Sequence, residues 1–347
     1  DVTAVGDDGE ITGNKIGITH IVVKKGNLTS VCIVHVIDKD AQTAPMISAG
    51  NSHVIALKSD GTVWAWGNNE YGQLGDGSVS CAYEPINVTA LNGKDIVSVH
   101  AGEYHSIALT RDGEVYTWGH NDYGQLGLGN ASIVVSTPQK VESLPEIVSI
   151  SAGKQHTMVL GADGYVYSFG DNSLGQLGAP SKDTSKRSST PVVAQGLNKV
   201  ISISIGAGGS ATKAVRYDGT LWGWGENSNH QIDNTNNRYY AYPVKIDLGD
   251  EFNGHILRTY DGLYHVVAML DNGRIISWGA NSEGQLGQGI DESGSLLYYA
   301  PDYVDVFDGT NNYAVDISVG ALHNLAITAD GRVMSWGSAD LGRLGIG

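Results

Sequence analysis

Apolar residues along the chain fall in short alternating or β-branched runs separated by Gly, Asp and Asn. No stretch keeps a 3.6-residue apolar period over ten or more positions, which excludes a helical solenoid. Residues 96–119 show the pattern well: "IVSVHAG", "HSIALT" and "EVYTWG" read as three strands bounded by turn residues. Asp112-Gly113, between the second and third runs, predicts a tight hairpin with a primed turn, which needs positive φ. A fourth short run follows a proline, as in Pro85-Ile86-Asn87-Val88 and Pro191-Val192-Val193.

This unit recurs. An aromatic-Gly pair appears at Trp66-Gly67, Trp118-Gly119, Phe169-Gly170, Trp224-Gly225, Trp278-Gly279 and Trp336-Gly337, with the glycines 52, 51, 55, 54 and 58 residues apart. Six residues before each lies the glycine of an Asp-Gly or Asn-Gly pair, Gly61, Gly113, Gly164, Gly219, Gly273 and Gly331. Fourteen before lie His53, His105, His156, Ala211, His265 and His323. A Gly-Gln-Leu-Gly turn follows at 72–75, 124–127, 175–178 and 284–287, nearly intact at 342–345 and stripped of both glycines around Gln231-Ile232. Four strands per unit of about 50 residues describe one blade of a propeller. The fold class expected is therefore an all-β, β-propeller protein with six visible blades over residues 45–347. The sixth stops before its last strand, so either the chain is cut short or closure differs. Glycine, 47 of 347 residues, is about twice its usual share, which suits many tight turns.

The pattern Ala-Gly-x-x-His … Asp-Gly-x-Val-x-x-Trp-Gly-x-Asn-x-x-Gly-Gln-Leu-Gly resembles the regulator of chromosome condensation repeat family. That resemblance covers nearly nine-tenths of the chain and implies a propeller, usually of seven blades. Residues 1–40 do not match the repeat. They alternate apolar and polar positions around Asp8-Gly9 and Gly26-Asn27 and resemble the second half of a bacterial immunoglobulin-like group 2 domain. Such modules imply a secreted or cell-surface bacterial setting. The other reading of this segment is that it supplies a closing strand to the propeller. Asp1 opens inside a β-like pattern without an initiator Met, which suggests a processed or engineered boundary.

Charge narrows the function. Thirty-seven acidic against 21 basic residues leave a formal charge of −16, which argues against nucleic-acid partners, because phosphate recognition rests on clustered Lys and Arg. No apolar run is long enough for membrane insertion by a helix. Cys32 and Cys81 stand in unrelated contexts and form no metal motif. The repeated histidines invite a metal reading, yet equivalent residues in successive blades are held too far apart for ligand distances of about 2.0–2.1 Å. They are expected to be buried and bonded to neighbouring backbone. The aromatic-Gly residues are expected to wedge between blades. Asn69, Asn121, Asn172, Asn227, Asn281 and the turn glutamines are expected to fix the loops through side-chain-to-backbone bonds. No phosphate loop, nucleophile elbow or Rossmann fingerprint appears, so neither catalytic residue nor cofactor is expected.

Blades disagree mainly in the loops after each Gly-Gln-Leu-Gly turn. Two neighbouring loops carry Tyr239, Tyr240, Tyr242, Tyr298 and Tyr299, a candidate contact patch. The residues before each histidine, among them Tyr104 and Tyr264, are expected to form an inner ring on the same face. The function expected is non-enzymatic binding of a protein partner, with a glycan as second ligand class, by a propeller outside a bacterial cell. The alternative implied by the family's namesake is guanine-nucleotide exchange on a small GTPase.

Overall fold

The computed structural model describes residues 3–5, 11–13, 17–25, 28–38, 40–129, 132–180, 186–206, 208–249, 252, 254–289, 299–307 and 313–346. From Met46 to Gly337 six antiparallel sheets follow one another, five of four strands and a sixth of three. In the second blade the strands are Ile96–Ala101, His105–Thr110, Val115–His120 and Val134–Lys140, paired in chain order. The inner strand of each blade lies beside the inner strand of the next, which arranges the blades around one axis. The sixth blade consists of Ala314–Val319, His323–Thr328 and Val333–Gly337, and no fourth strand joins it among the described residues.

The middle strands are largely apolar or neutral because neighbouring blades cover both their faces. His105–Thr110 and Val115–His120 are buried at every position. The core accordingly lies between blades: Ile55, Leu57, Val63 and Leu74 of the first pack with Ile96, Val99, Ala108 and Trp118 of the second. A blade without a neighbour would leave that surface in water, so the repeats stabilise one another in sequence.

The Asp-Gly hairpins differ from the primed turn expected. Only the glycine takes positive φ, +79° at Gly113 and +78° at Gly164, while the Asp before it does not. The Asp side chain serves another purpose, accepting the backbone N–H two residues on, as Asp60 does from Thr62 (3.0 Å) and Asp163 from Tyr165 (3.0 Å).

Residues 1–40 contribute two small hairpins. Thr3–Val5 pairs with Ile11–Gly13, and Gly17–Lys25 pairs with Leu28–Val36 along their whole lengths. The first strand of the longer hairpin sits beside Ala314–Val319, the inner strand of the sixth blade. Among the described residues each hairpin is a separate two-stranded sheet.

Candidate functional site

Two loops of every blade meet at one end of the propeller. The loop before each second strand accepts a bond from the loop after the third: Asn68 N–H to Ser52 O, His120 N–H to Tyr104 O, Asp171 N–H to Gln155 O, and Ala280 N–H to Tyr264 O, all 2.8–2.9 Å. This end is the loop face.

The turns on it are built as the sequence implied. Asn69 Oδ1 accepts from Leu74 N (2.9 Å), Asn121 Oδ1 from Leu126 N (3.1 Å), and Asn172, Asn227 and Asn281 repeat the bond. The turn glutamine accepts the N–H two residues before it, Gln73 from Tyr71 at 2.9 Å. Gly75 has φ +77°, and a Cβ there would stand 2.7 Å from the Trp118 indole nitrogen. In the fourth blade His230 occupies a glycine's place with φ +56°, so that turn keeps its shape at some backbone strain.

Four of the five histidines, His53, His105, His156 and His265, are buried but bond to side chains of the next blade, where backbone partners were expected, and His323 of the sixth blade is only partly buried. His53 Nε2 meets Ser106 Oγ at 2.9 Å, His105 Nε2 meets Thr157 Oγ1 at 2.9 Å, and His156 Nε2 meets Thr212 Oγ1 at 3.2 Å. Each hydroxyl then donates back to the turn glutamine carbonyl of the histidine's own blade: Ser106 to Gln73 O, Thr157 to Gln125 O, Thr212 to Gln176 O. A hydroxyl has one proton, so the histidine must donate from Nε2 and leave Nδ1 bare. Between blades five and six an amide does both jobs: Asn324 Oδ1 accepts from His265 (2.8 Å) and its Nδ2 donates to Gln285 O (2.7 Å). Burial holds these imidazoles neutral, pulling His53 and His265 down to about 4 and His105 and His156 to about 3. The wedge aromatics join the same link: Trp118, Trp224, Trp278 and Trp336 each donate Nε1–H to the preceding blade's glutamine carbonyl.

One joint is different. Ala211 and Val266 remove both partners of the link between blades four and five. There the Lys213 ammonium, wholly buried, donates to Asp261 Oδ1 at 2.6 Å, and Ser204 Oγ donates to the other carboxylate oxygen. The sequence reading missed this pair; a Lys inside a second strand and an Asp at the position filled by Ala in three other blades were its signal.

The candidate contact residues separate into kinds. Tyr239 and Tyr242 stand on the outer strand of the fourth blade, about half exposed at 49% and 48%. Tyr240 is structural: its hydroxyl bonds Asp233 and accepts from Asn237 (2.9 Å), and its ring packs against two of the inter-blade cores. Tyr298 lies outside the described residues. Tyr299 opens the strand Tyr299–Tyr303, and its side chain lies outside them too. Tyr264 is 38% exposed on the inner rim, and Tyr104 is half-buried there.

A second aromatic cluster escaped the sequence reading because it spans two blades. The Tyr71 ring lies 4.4 Å from His120 and 5.3 Å from Tyr104, and Tyr123 flanks His120 at 6.4 Å. Gln125 fixes the imidazole: its Oε1 accepts from Tyr123 N (3.0 Å), so its Nε2 donates to His120 Nδ1 (3.0 Å). His120 Nε2–H is thereby left to donate to Asp122 (3.1 Å).

Comparison with known proteins agrees with this build. A family profile described as the RCC1-like domain matches residues 2–347. The chain belongs to the RCC1-like domain family. The match includes the N-terminal hairpins, so no separate immunoglobulin-like module is set apart by it. Among RCC1-like relatives, the ultraviolet-B receptor UVR8 of Arabidopsis thaliana is 33% identical over 318 residues, spanning 89% of this chain and 69% of UVR8. The E3 ubiquitin-protein ligase HERC2 of Mus musculus is 30% identical over 86% of this chain, which spans 6% of that ligase. Yeast RCC1 (Prp20), solved bound to Kap60, superposes with a TM-score of 0.75 at 25% identity, covering 87% of this chain and 71% of that one. Prp20p from Saccharomyces cerevisiae, solved with a study of its binding to Gsp1p and histones, gives 0.73 at 25% identity over 87% and 73%. Among the described residues no group of three His, Cys, Asp or Glu could hold a metal ion.

Proposed function

We propose that this RCC1-like propeller is a non-enzymatic protein-binding module that engages its partner through the loop face. One observation carries the reading. The repeated residues are used up in bonds between blades, while the aromatic residues that differ from blade to blade, Tyr71, Tyr104, Tyr123 and Tyr264, gather at one end with their rings at least partly open. Recognition in a repeat protein must come from the positions where repeats disagree. Relatives of similar build support it: yeast RCC1 was solved with Kap60, and Prp20p was studied with Gsp1p and histones. A protein is therefore favoured over a glycan as the ligand.

The test is capture of proteins by the intact chain, compared with a Tyr104→Ala/Tyr264→Ala/Tyr239→Ala variant of unchanged thermal stability. Loss of the captured partner with the variant supports the loop face, and equal capture refutes it. The setting outside a bacterial cell belongs to the same proposal, and labelling of intact cells with an impermeant reagent tests it. Likeness to yeast RCC1 favours a second reading, guanine-nucleotide exchange on a small GTPase. Fluorescent-GDP release from such a GTPase, accelerated or not by the chain, decides that one.

A further inference from the structure

The rim between the first two blades combines features that the scaffold does not require. Blade by blade, the position of Tyr71 is filled by Tyr123, Leu174, Asn229, Glu283 and Leu341, and that of Tyr104 by Ser52, Gln155, Ser210, Tyr264 and Leu322. Every blade folds with some of these, so packing does not dictate tyrosine at both. Yet here the two rings lie 5.3 Å apart at 53°, with Tyr104 OH accepting from Asn51 Nδ2 (3.3 Å). Beside Tyr104 stands Glu103, the acidic member of a position filled elsewhere by Asn51, Lys154, Gly209, Leu263 and Ala321.

Glu103 is unusual in its surroundings. Its Oε2 is buried and has no hydrogen-bond partner. Burial raises its carboxyl above the usual range, and Lys154 and His120 nearby only partly offset this. Among the described residues no salt bridge joins it to Lys154. A partly buried carboxylate that no side chain among the described residues satisfies, beside Tyr104 in the chain and close enough to feel His120, favours a cationic donor from outside. Asp122, exposed and bonded to His120, adds negative potential to the same rim.

We propose that this rim is a receptor for an arginine side chain on a protein partner, the guanidinium stacking on Tyr71 and Tyr104 while donating to Glu103. The proposal rests on the loop-face reading and names the chemistry of one contact within it. Arginine suits the site better than lysine, because its planar group stacks and donates from its edge at once, whereas an ammonium is a compact, strongly hydrated charge. The chain's charge of −16 favours approach of a basic partner over long range. Neighbouring blades offer no second copy: Lys154 stands at the third blade's equivalent of Glu103 and would repel the same group.

The intact protein, labelled on its tyrosine rings, would be titrated by NMR with the blocked tripeptide Gly-Arg-Gly and with the same tripeptide carrying neutral citrulline. The expected result is saturable shifts of the Tyr71 and Tyr104 rings with the arginine peptide, at least fivefold weaker binding with citrulline, and at least fivefold weaker arginine binding in Glu103→Gln. Tyr71→Ala should weaken it similarly; if that variant loses its fold, Glu103→Gln decides alone. Glu84→Gln, on the outer strand of the first blade, should bind as the parent does, which separates the rim from general attraction to an acidic protein. Equal binding of arginine and citrulline, or an unchanged Glu103→Gln, overturns the proposal. Such a failure concerns the arginine contact only, because the loop-face reading is judged by protein capture with the Tyr104, Tyr239 and Tyr264 variant.

Discussion

Replacing Thr157 with valine keeps the outline of the side chain and removes only its hydroxyl. That oxygen accepts from His105 Nε2 at 2.9 Å and donates to Gln125 O at 2.8 Å. His105 and Thr157 are wholly buried and Gln125 is 1% exposed, so water has no route to replace the bond. The third blade is also where the wedge residue is Phe169, which has no N–H to offer the same carbonyl. Thr157→Val thus orphans a donor and an acceptor together. At about 1–3 kcal/mol for each buried unsatisfied group, the cost should be about 2–6 kcal/mol. Thr212→Val is the internal control. It orphans His156 in the same way, but Gln176 O keeps the Trp224 Nε1–H bond at 2.9 Å, so the cost should be about 1–3 kcal/mol. Urea unfolding followed by tryptophan fluorescence measures both, provided the transitions stay single and the slopes match. Adding His105→Ala to Thr157→Val should cost less than the sum of the two single changes, because the orphaned donor goes with the ring. Equal costs for the two valine variants, or a Thr157→Val cost below about 0.5 kcal/mol, would refute a hydroxyl-centred link.

Acid should weaken the fold: His53, His105, His156 and His265 titrate near 3 to 4 when folded and near 6.5 when not. The unfolded chain therefore binds protons first as pH falls. The stability from keeping them neutral is present above about 6.5 and lost progressively toward 4, at up to about 1.4 kcal/mol per pH unit for each; urea midpoints at pH 7, 5.5 and 4.5 should fall in order, and a flat series would contradict this. Lys213→Met should destabilise by about 3–5 kcal/mol by stranding Asp261, and Lys213→Met/Asp261→Ala should recover part of that, both read by thermal melting. Tyr240→Phe should cost about 1 kcal/mol through its lost bonds to Asp233 and Asn237, whereas Tyr239→Ala and Tyr242→Ala should stay within about 0.5 kcal/mol, so equal losses at all three would undo the division between packed and exposed rings.

Blade count, strand order and the bonds of the Asn and Gln turn residues were legible because the same letters recur from blade to blade in a fixed register. What sequence reading missed lies between repeats. His53 finds Ser106, and Tyr71 finds Tyr104, only after two blades are set side by side, and no spacing within one repeat encodes that. The backbone partners assigned to the histidines failed for this reason: the acceptor each buried one meets is a hydroxyl or an amide of the next copy. The primed turns failed differently. Asp-Gly fits more than one hairpin, and the Asp60 carboxylate selects the one in which it can cap Thr62 N–H. Tyrosine clustering along the chain at 239–242 suggested one patch, but Tyr240 turns inward because Asp233 and Asn237 stand ready for its hydroxyl.

The buried Lys213–Asp261 pair changes what the propeller can tolerate over evolutionary time. Most joints carry a histidine on one side and a hydroxyl or amide on the other, so a duplicated or deleted blade meets compatible neighbours wherever it lands. The joint between blades four and five accepts no such exchange: a foreign blade on either side would strand a charge in the core. Among the described joints between successive blades, this one is therefore keyed and the histidine joints are interchangeable.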